Sequence, residues 1–219
     1  MIPRWYRSRA HAFLFFSLLG TMVAAPILSG GWLGGAVFEI FLGINLAAAV
    51  LGLQRLQGRG FYMVTLLVVI GVRIARNWLP AHFYETIALF VLAAIAVTAA
   101  IKTARFAFGA KRVDGEHIFA ALSAYLLAGI FLGLAHFGVE EIAPGSYAAS
   151  RPGPPFGAGG LPGVIYFSFV TLATLGYGDI VPVSPTAQGL AVFEAVSGQL
   201  YLAVLVARLV GIYTKDTRE

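Results

Sequence analysis

The sequence contains no cysteine, so neither a disulfide nor a thiolate metal site can be built, and cysteine usage says nothing of redox compartment. Charge is the second scarcity. Only 11% of the 219 residues are Asp, Glu, Lys or Arg, against about a quarter in a soluble domain. The His-Glu-x-x-His pattern of helical zinc hydrolases is missing too, and no internal repeat is visible. What fills the chain instead is apolar: 59% of residues are hydrophobic and the mean hydropathy is +0.84. Lipid is the solvent such a composition suits. A bilayer core of roughly 30 Å takes about 20 apolar residues per helical span. The chain therefore holds several spans and leaves no room for a large soluble domain. The formal net charge of +5 invites a nucleic-acid reading. Yet the basic residues gather in a few short inter-span segments and the two tails, which orientation in a membrane explains, and no nucleic-acid partner is expected.

Apolar runs predict six helices, at Ala12 to Ser29, Trp32 to Leu53, Phe61 to Leu79, His82 to Ile101, Ile118 to Phe137 and Pro185 to about Tyr213. Basic residues mark every second connection: Arg4, Arg7 and Arg9 before the first run, Arg55 and Arg59 after the second, Lys102, Arg105, Lys111 and Arg112 after the fourth, Lys215 and Arg218 at the end. The positive-inside rule then places both termini in the cytoplasm. The first run also fits a cleaved secretory signal ending at Val23, Ala24, Ala25, although Pro26 follows awkwardly and the apolar stretch is long for a signal core. Between Thr103 and Glu116, Arg105, Lys111 and Arg112 mix with Phe106, Phe108 and Val113, as in a helix lying on the inner membrane surface. Gly138 to Pro162 is rich in glycine and proline and reads as an outer loop without regular structure.

Next comes Pro162-Gly-Val-Ile-Tyr-Phe-Ser-Phe-Val-Thr-Leu-Ala173, about 12 residues, which is too short to cross and reads as a re-entrant helix. Pro162 suits its first turn. At 1.5 Å per residue it would reach roughly 18 Å, leaving its carboxyl end near mid-bilayer, where partial negative charge favours a cation. The chain continues as Thr174-Leu-Gly-Tyr-Gly-Asp179. This segment closely resembles the signature of tetrameric potassium channels, Thr-Val-Gly-Tyr-Gly-Asp, and the resemblance extends from Pro162 to about Tyr213.

The resemblance implies an all-α membrane protein of six transmembrane helices, with the re-entrant pore helix and selectivity filter between helices five and six. It implies domains at 1–102 (four helices, voltage-sensor-like but lacking gating charges), 103–116 (interfacial linker) and 117–219 (pore domain). It further implies that the carbonyls of Thr174, Leu175, Gly176 and Tyr177 coordinate potassium, because rings of backbone oxygens replace the ion's water. Gly176 and Gly178 accept the positive φ such a backbone needs. Asp179 would anchor the outer end of the filter, with Tyr166 placed to hydrogen-bond it. Leu175 replaces the usual valine, Tyr166 and Phe167 replace a common tryptophan pair, and Val170 stands where some members carry glutamate. Only filter rigidity is put in doubt by these departures. A closed ring requires four subunits, so a homotetramer in the lipid of a bacterial plasma membrane is implied, with potassium as permeant ion and no cofactor.

By the same resemblance Gly198 falls where the inner helix bends, although close packing against the pore helix would equally explain a glycine. Gln199, Leu202, Val206 and Val210 should then face the conduction path, the lower three forming an apolar gate. Glu194 is a carboxylate at costly depth. It either braces the filter through Ser168 or Thr171 hydroxyls, the preferred reading, or acts as a pH-sensitive gate. Voltage sensing needs repeated basic residues across the fourth helix, and its middle has none. Arg73 and Arg76 share a depth with Glu39 and Glu85 and read as a static buried charge network, or else as a weak voltage or lipid sensor. Six residues follow Tyr213, so no ligand-binding domain is expected after the inner helix. The function expected is passive potassium conduction, at most weakly voltage dependent, with a less selective cation channel as alternative. An intramembrane aspartyl protease is the distant alternative: Gly176-Tyr177-Gly178-Asp179 fits Gly-x-Gly-Asp, but Asp114 and Asp216 fall on the opposite side, so no dyad forms.

Overall fold

The computed structural model describes residues 10–28, 45, 81–109, 114–156 and 160–216. In chain order these form α1 (Ala10–Leu28), α2 (Ala81–Gly109), α3 (Gly115–Ile142), β1 (Tyr147–Ala149), α4 (Leu161–Leu172), β2 (Ile180–Pro182) and α5 (Pro185–Asp216). Among the described residues Leu89–Gly109, Gly115–Ile142 and Pro185–Gly211 are long and apolar enough to cross a membrane. The protein is a multi-pass, mostly helical membrane protein. The third expected span and all of the second except Asn45 lie outside the described residues, together with Glu39, Arg73 and Arg76. Glu85 falls on α2, but its side chain also lies outside what is described.

The helix α3 is the central post, with α1, α2, α4 and α5 packed on it. Among helices in lipid there is little hydrophobic drive, so small residues that let backbones approach decide the contacts. Ala96, Ala99 and Ala100 of α2 and Ala120, Ala121 and Ala124 of α3 are all buried. Gly129 and Gly133, four apart on α3, open a groove for α4: a Cβ at Gly129 would strike the Phe169 ring, and one at Gly133 the Ile165 side chain. The carboxyl-terminal half of α5 is tied back to α2, where the Arg208 guanidinium donates to the Ala107 carbonyl at 3.2 Å and lies 5.2 Å from the Phe108 ring centre.

Local structure departs from expectation in two places. Residues 103–109 continue α2 rather than beginning a separate surface helix, and residues 115–116 already belong to α3. Ala104, Arg105 and Ala107 favour helix, no breaker intervenes before Gly109, and buried Thr103 and Ala107 keep this stretch packed. In the outer loop, α3 runs on to Ile142 and β1 pairs antiparallel with β2, setting Tyr147 opposite Pro182 and Ala149 opposite Ile180. The Glu140 carboxylate holds this turn by accepting the N–H groups of Gly145 at 3.0 Å and Tyr147 at 3.2 Å.

The start of α3 is closed by Asp114, whose carboxylate accepts the His117 N–H at 3.1 Å while the His117 ring reaches back to the Asp114 N–H. Replacing Asp114 by Ala should cost about 1 kcal/mol of local stability, read as faster amide hydrogen exchange at residues 115–118. Burial pushes the Asp114 carboxyl up, but the N–H and ring of His117 together hold it below its usual range. A depressed acid stabilises above its unfolded value of about 3.9, so the protection should be complete at neutral pH and fade as pH falls through the depressed folded value.

Candidate functional site

The 12-residue α4 starts with Pro162 in its first turn and ends at Leu172. A helix end buried in apolar surroundings needs donors for its last carbonyls. The chain supplies them by turning back: Thr174 N–H donates to Thr171 O at 2.9 Å, and Leu175 and Gly176 N–H donate to Val170 O at 2.8 and 3.4 Å. The donors of 174–176 are thereby spent on the helix. Backbone torsions alternate through the segment, φ being +58° at Thr174, +56° at Gly176 and +76° at Gly178, while Leu175 and Tyr177 keep negative φ. Glycine takes the left-handed region at no steric cost, whereas Thr174 is strained there.

Beyond the turn, Asp179 is pinned on both sides. The Tyr166 hydroxyl donates to its carboxylate at 2.7 Å, and its carbonyl accepts Ser150 N–H at 2.8 Å, next to the β1–β2 pair. Below the turn, α5 closes in. Gly198 is buried against the end of α4, where any Cβ would collide with the Leu172 carbonyl, and the Gln199 amide donates to the Thr174 hydroxyl at 3.2 Å. Val206 and Val210 are exposed along the same stripe of α5 and Leu202 is partly covered.

Residues 158–215 match the family described as "Ion channel". The inward rectifier potassium channel Kirbac3.1 of Paramagnetospirillum magnetotacticum is 30% identical over 97 residues, 42% of this chain and 28% of that protein. Through this segment the chain is similar to ion channels, one of them a potassium channel. The chain thus spans little more than a quarter of the length of this relative, and no solved structure matches it. These likenesses point to transport rather than catalysis. The placement of Asp114 at the start of α3, and of Asp179 beside the hairpin that follows its far end, also keeps these two aspartates apart.

Behind the turn, Glu194 meets Ser168 and not Thr171. Its Oε1 is in hydrogen-bond contact with Ser168 Oγ, and Oε2 lies 2.7 Å from His136 Nε2. His136 Nδ1 is in turn 2.6 Å from the Tyr147 hydroxyl. Glu194, Ser168 and His136 are wholly buried. Edge-to-face contacts of the Phe167 ring with His136 at 4.9 Å and Tyr147 at 5.5 Å seal the group. Burial pushes the Tyr147 hydroxyl well above the usual tyrosine range, and the nearby Glu140 carboxylate pushes the same way, so it stays a donor. Neither His136 nor Tyr147 stands out in the sequence pattern. A histidine inside an apolar run, next to its last residue Phe137, was the available signal, since ionisable groups in such a run need a partner.

Replacing Gly198 by Ala should drive a methyl group into the Leu172 carbonyl and cost about 1–3 kcal/mol, seen as a lower thermal midpoint of the lipid-reconstituted protein.

Proposed function

We propose that this chain is one subunit of a homotetrameric, potassium-selective channel that conducts passively across a bacterial plasma membrane. The observation that carries the reading is the left-handed alternation at Thr174, Gly176 and Gly178, combined with N–H groups turned back onto α4. In an extended strand successive carbonyls point to opposite sides. Alternating handedness instead lets successive carbonyls point one way, and with the donors occupied behind, only acceptors remain for an ion. Four chains would then bring Thr174, Leu175, Gly176 and Tyr177 oxygens into stacked rings that replace the water of potassium, with Gly178 completing the turn. Leu175 is 56% exposed and Tyr177 65% exposed in the single chain, which suits a segment completed by neighbouring subunits.

In this reading α4 is a re-entrant pore helix and α5 the inner helix, within a six-span chain whose termini are both cytoplasmic. As domains we keep 1–102 and 117–219, with 103–116 as the connection whose first residues extend α2 and whose last two open α3. Asp179, Tyr166, Thr171 and Glu194 support the filter, Gln199 faces the cavity beneath Thr174, and Leu202, Val206 and Val210 narrow the inner path. Gly198 is a packing site before it is a hinge, because Leu172 occupies the space beside it. Glu39, Arg73, Arg76 and Glu85 form a static charge network. The name of the relative, a potassium channel, agrees with the proposed ion.

Liposomes carrying the purified protein should pass potassium down its gradient and hold sodium back, and Gly176→Ala should abolish the flux because Ala resists the required φ. Equal sodium and potassium flux would instead make this a less selective cation channel. In planar bilayers the open probability should change little with voltage, since a few static charges do not move through the field. A steep conductance–voltage curve would contradict that part.

A further inference from the structure

Four side chains and one backbone carbonyl make an unbroken line through the interior. Its links are Tyr147 Oη to His136 Nδ1 at 2.6 Å, His136 Nε2 to Glu194 Oε2 at 2.7 Å, Glu194 Oε1 to Ser168 Oγ, and Ser168 Oγ to Gly129 O at 2.7 Å. The line joins β1, α3, α5 and α4 and returns to α3. At such separations every link needs a proton between its heavy atoms, since two bare acceptors repel. A carbonyl can only accept, so the Ser168 proton points at Gly129. Ser168 then has only lone pairs for Glu194, and the proton of that link must come from the carboxyl. Glu194 Oε2 accepts from His136 Nε2–H. The other ring nitrogen, bare in that tautomer, accepts from Tyr147.

Other proton inventories leave something unmatched. An ionised Glu194 beside a neutral His136 offers three protons for four links. An imidazolium–carboxylate pair still leaves one of the two Ser168 links without a proton, and it places both charges where neither residue has any exposure. Imidazolium beside a protonated Glu194 buries an uncompensated charge and turns the Tyr147 proton out of the line. Further titratable groups that feel this line are Tyr125 on α3 and Glu140 beside Tyr147. Neither enters it. The Tyr125 hydroxyl goes to Leu172 O at 3.3 Å, and Glu140 is occupied by the Gly145 and Tyr147 N–H groups.

We propose that Glu194 is kept as a neutral carboxylic acid inside a one-way hydrogen-bond chain, Tyr147 to His136 to Glu194 to Ser168 to the Gly129 carbonyl, in which His136 and Tyr147 act as positioning residues for α4. The chain fixes α4 against α3 and α5 and carries this tie out to the β hairpin without burying net charge. The assignment goes beyond ion conduction, and its spectroscopic test stands apart from any flux result.

Infrared spectroscopy of the full-length protein in lipid at neutral pH should show a protonated carboxyl band that shifts on deuteration. The band should vanish in E194Q and move to higher frequency in S168A, where the acid loses its acceptor. Gln presents an N–H to Ser168 and a C=O to His136, as the neutral acid does, so E194Q should keep the thermal midpoint of the parent protein while E194A and H136A lower it. Absence of a carboxyl band assignable to Glu194 overturns the proposal. So does a protein in which E194Q is as unstable as E194A, or one in which S168A leaves the band where it was.

Discussion

A helix whose last turn is buried must find donors for its final carbonyls, and the shape of the segment after α4 follows from how that demand is met. The helix's own continuation turns back to donate N–H groups to Val170 and Thr171. The turn is possible only if the backbone passes repeatedly through the left-handed region, which is where the two glycines and the strained Thr174 stand. The Leu172 carbonyl, beyond the reach of that turn, receives the Tyr125 hydroxyl from α3. Satisfying the helix and shaping the segment after it are therefore the same event. In proteins built for lipid, irregular backbone at depth is tolerated only where such partners exist.

The second demand is steric. α4 can approach α3 and α5 only where side chains are absent, at Gly129, Gly133 and Gly198. Close approach brings Ser168 within reach of both the Gly129 carbonyl and Glu194, so polar contacts form in places that small residues have opened. Packing and hydrogen bonding here are not separate contributions, because each glycine that shortens a backbone distance also brings a donor to its acceptor.

Much of this was legible in the sequence. The half-length apolar run from Pro162, the two glycines at Gly176 and Gly178, and Asp179 with Tyr166 have local signatures, and the structure places α4 and its turn within one residue of the expected bounds. Over the described residues 103–109 and 115–116 no separate surface helix forms, and the expected structureless outer loop carries β1. Helix continuation past Ile101 depends on alanines packing against α3, and the β1–β2 pair depends on Asp179 being held far along the chain. Those are tertiary facts with weak local traces. The His136–Glu194 contact joins residues 58 apart in sequence, a separation that no spacing rule connects. The third expected span, all of the second except Asn45, and the charges on them lie outside the described residues.

The tight seat of Gly198 carries a mechanical corollary. Leu172 rests its carbonyl on that glycine, and the neighbouring Gln199 grips the Thr174 hydroxyl. Two successive positions of α5 are thus the floor on which α4 and its turn stand. Any pivot of α5 at this level removes the floor at the same moment, so α5 and the turn after α4 share one moving part and cannot be adjusted independently.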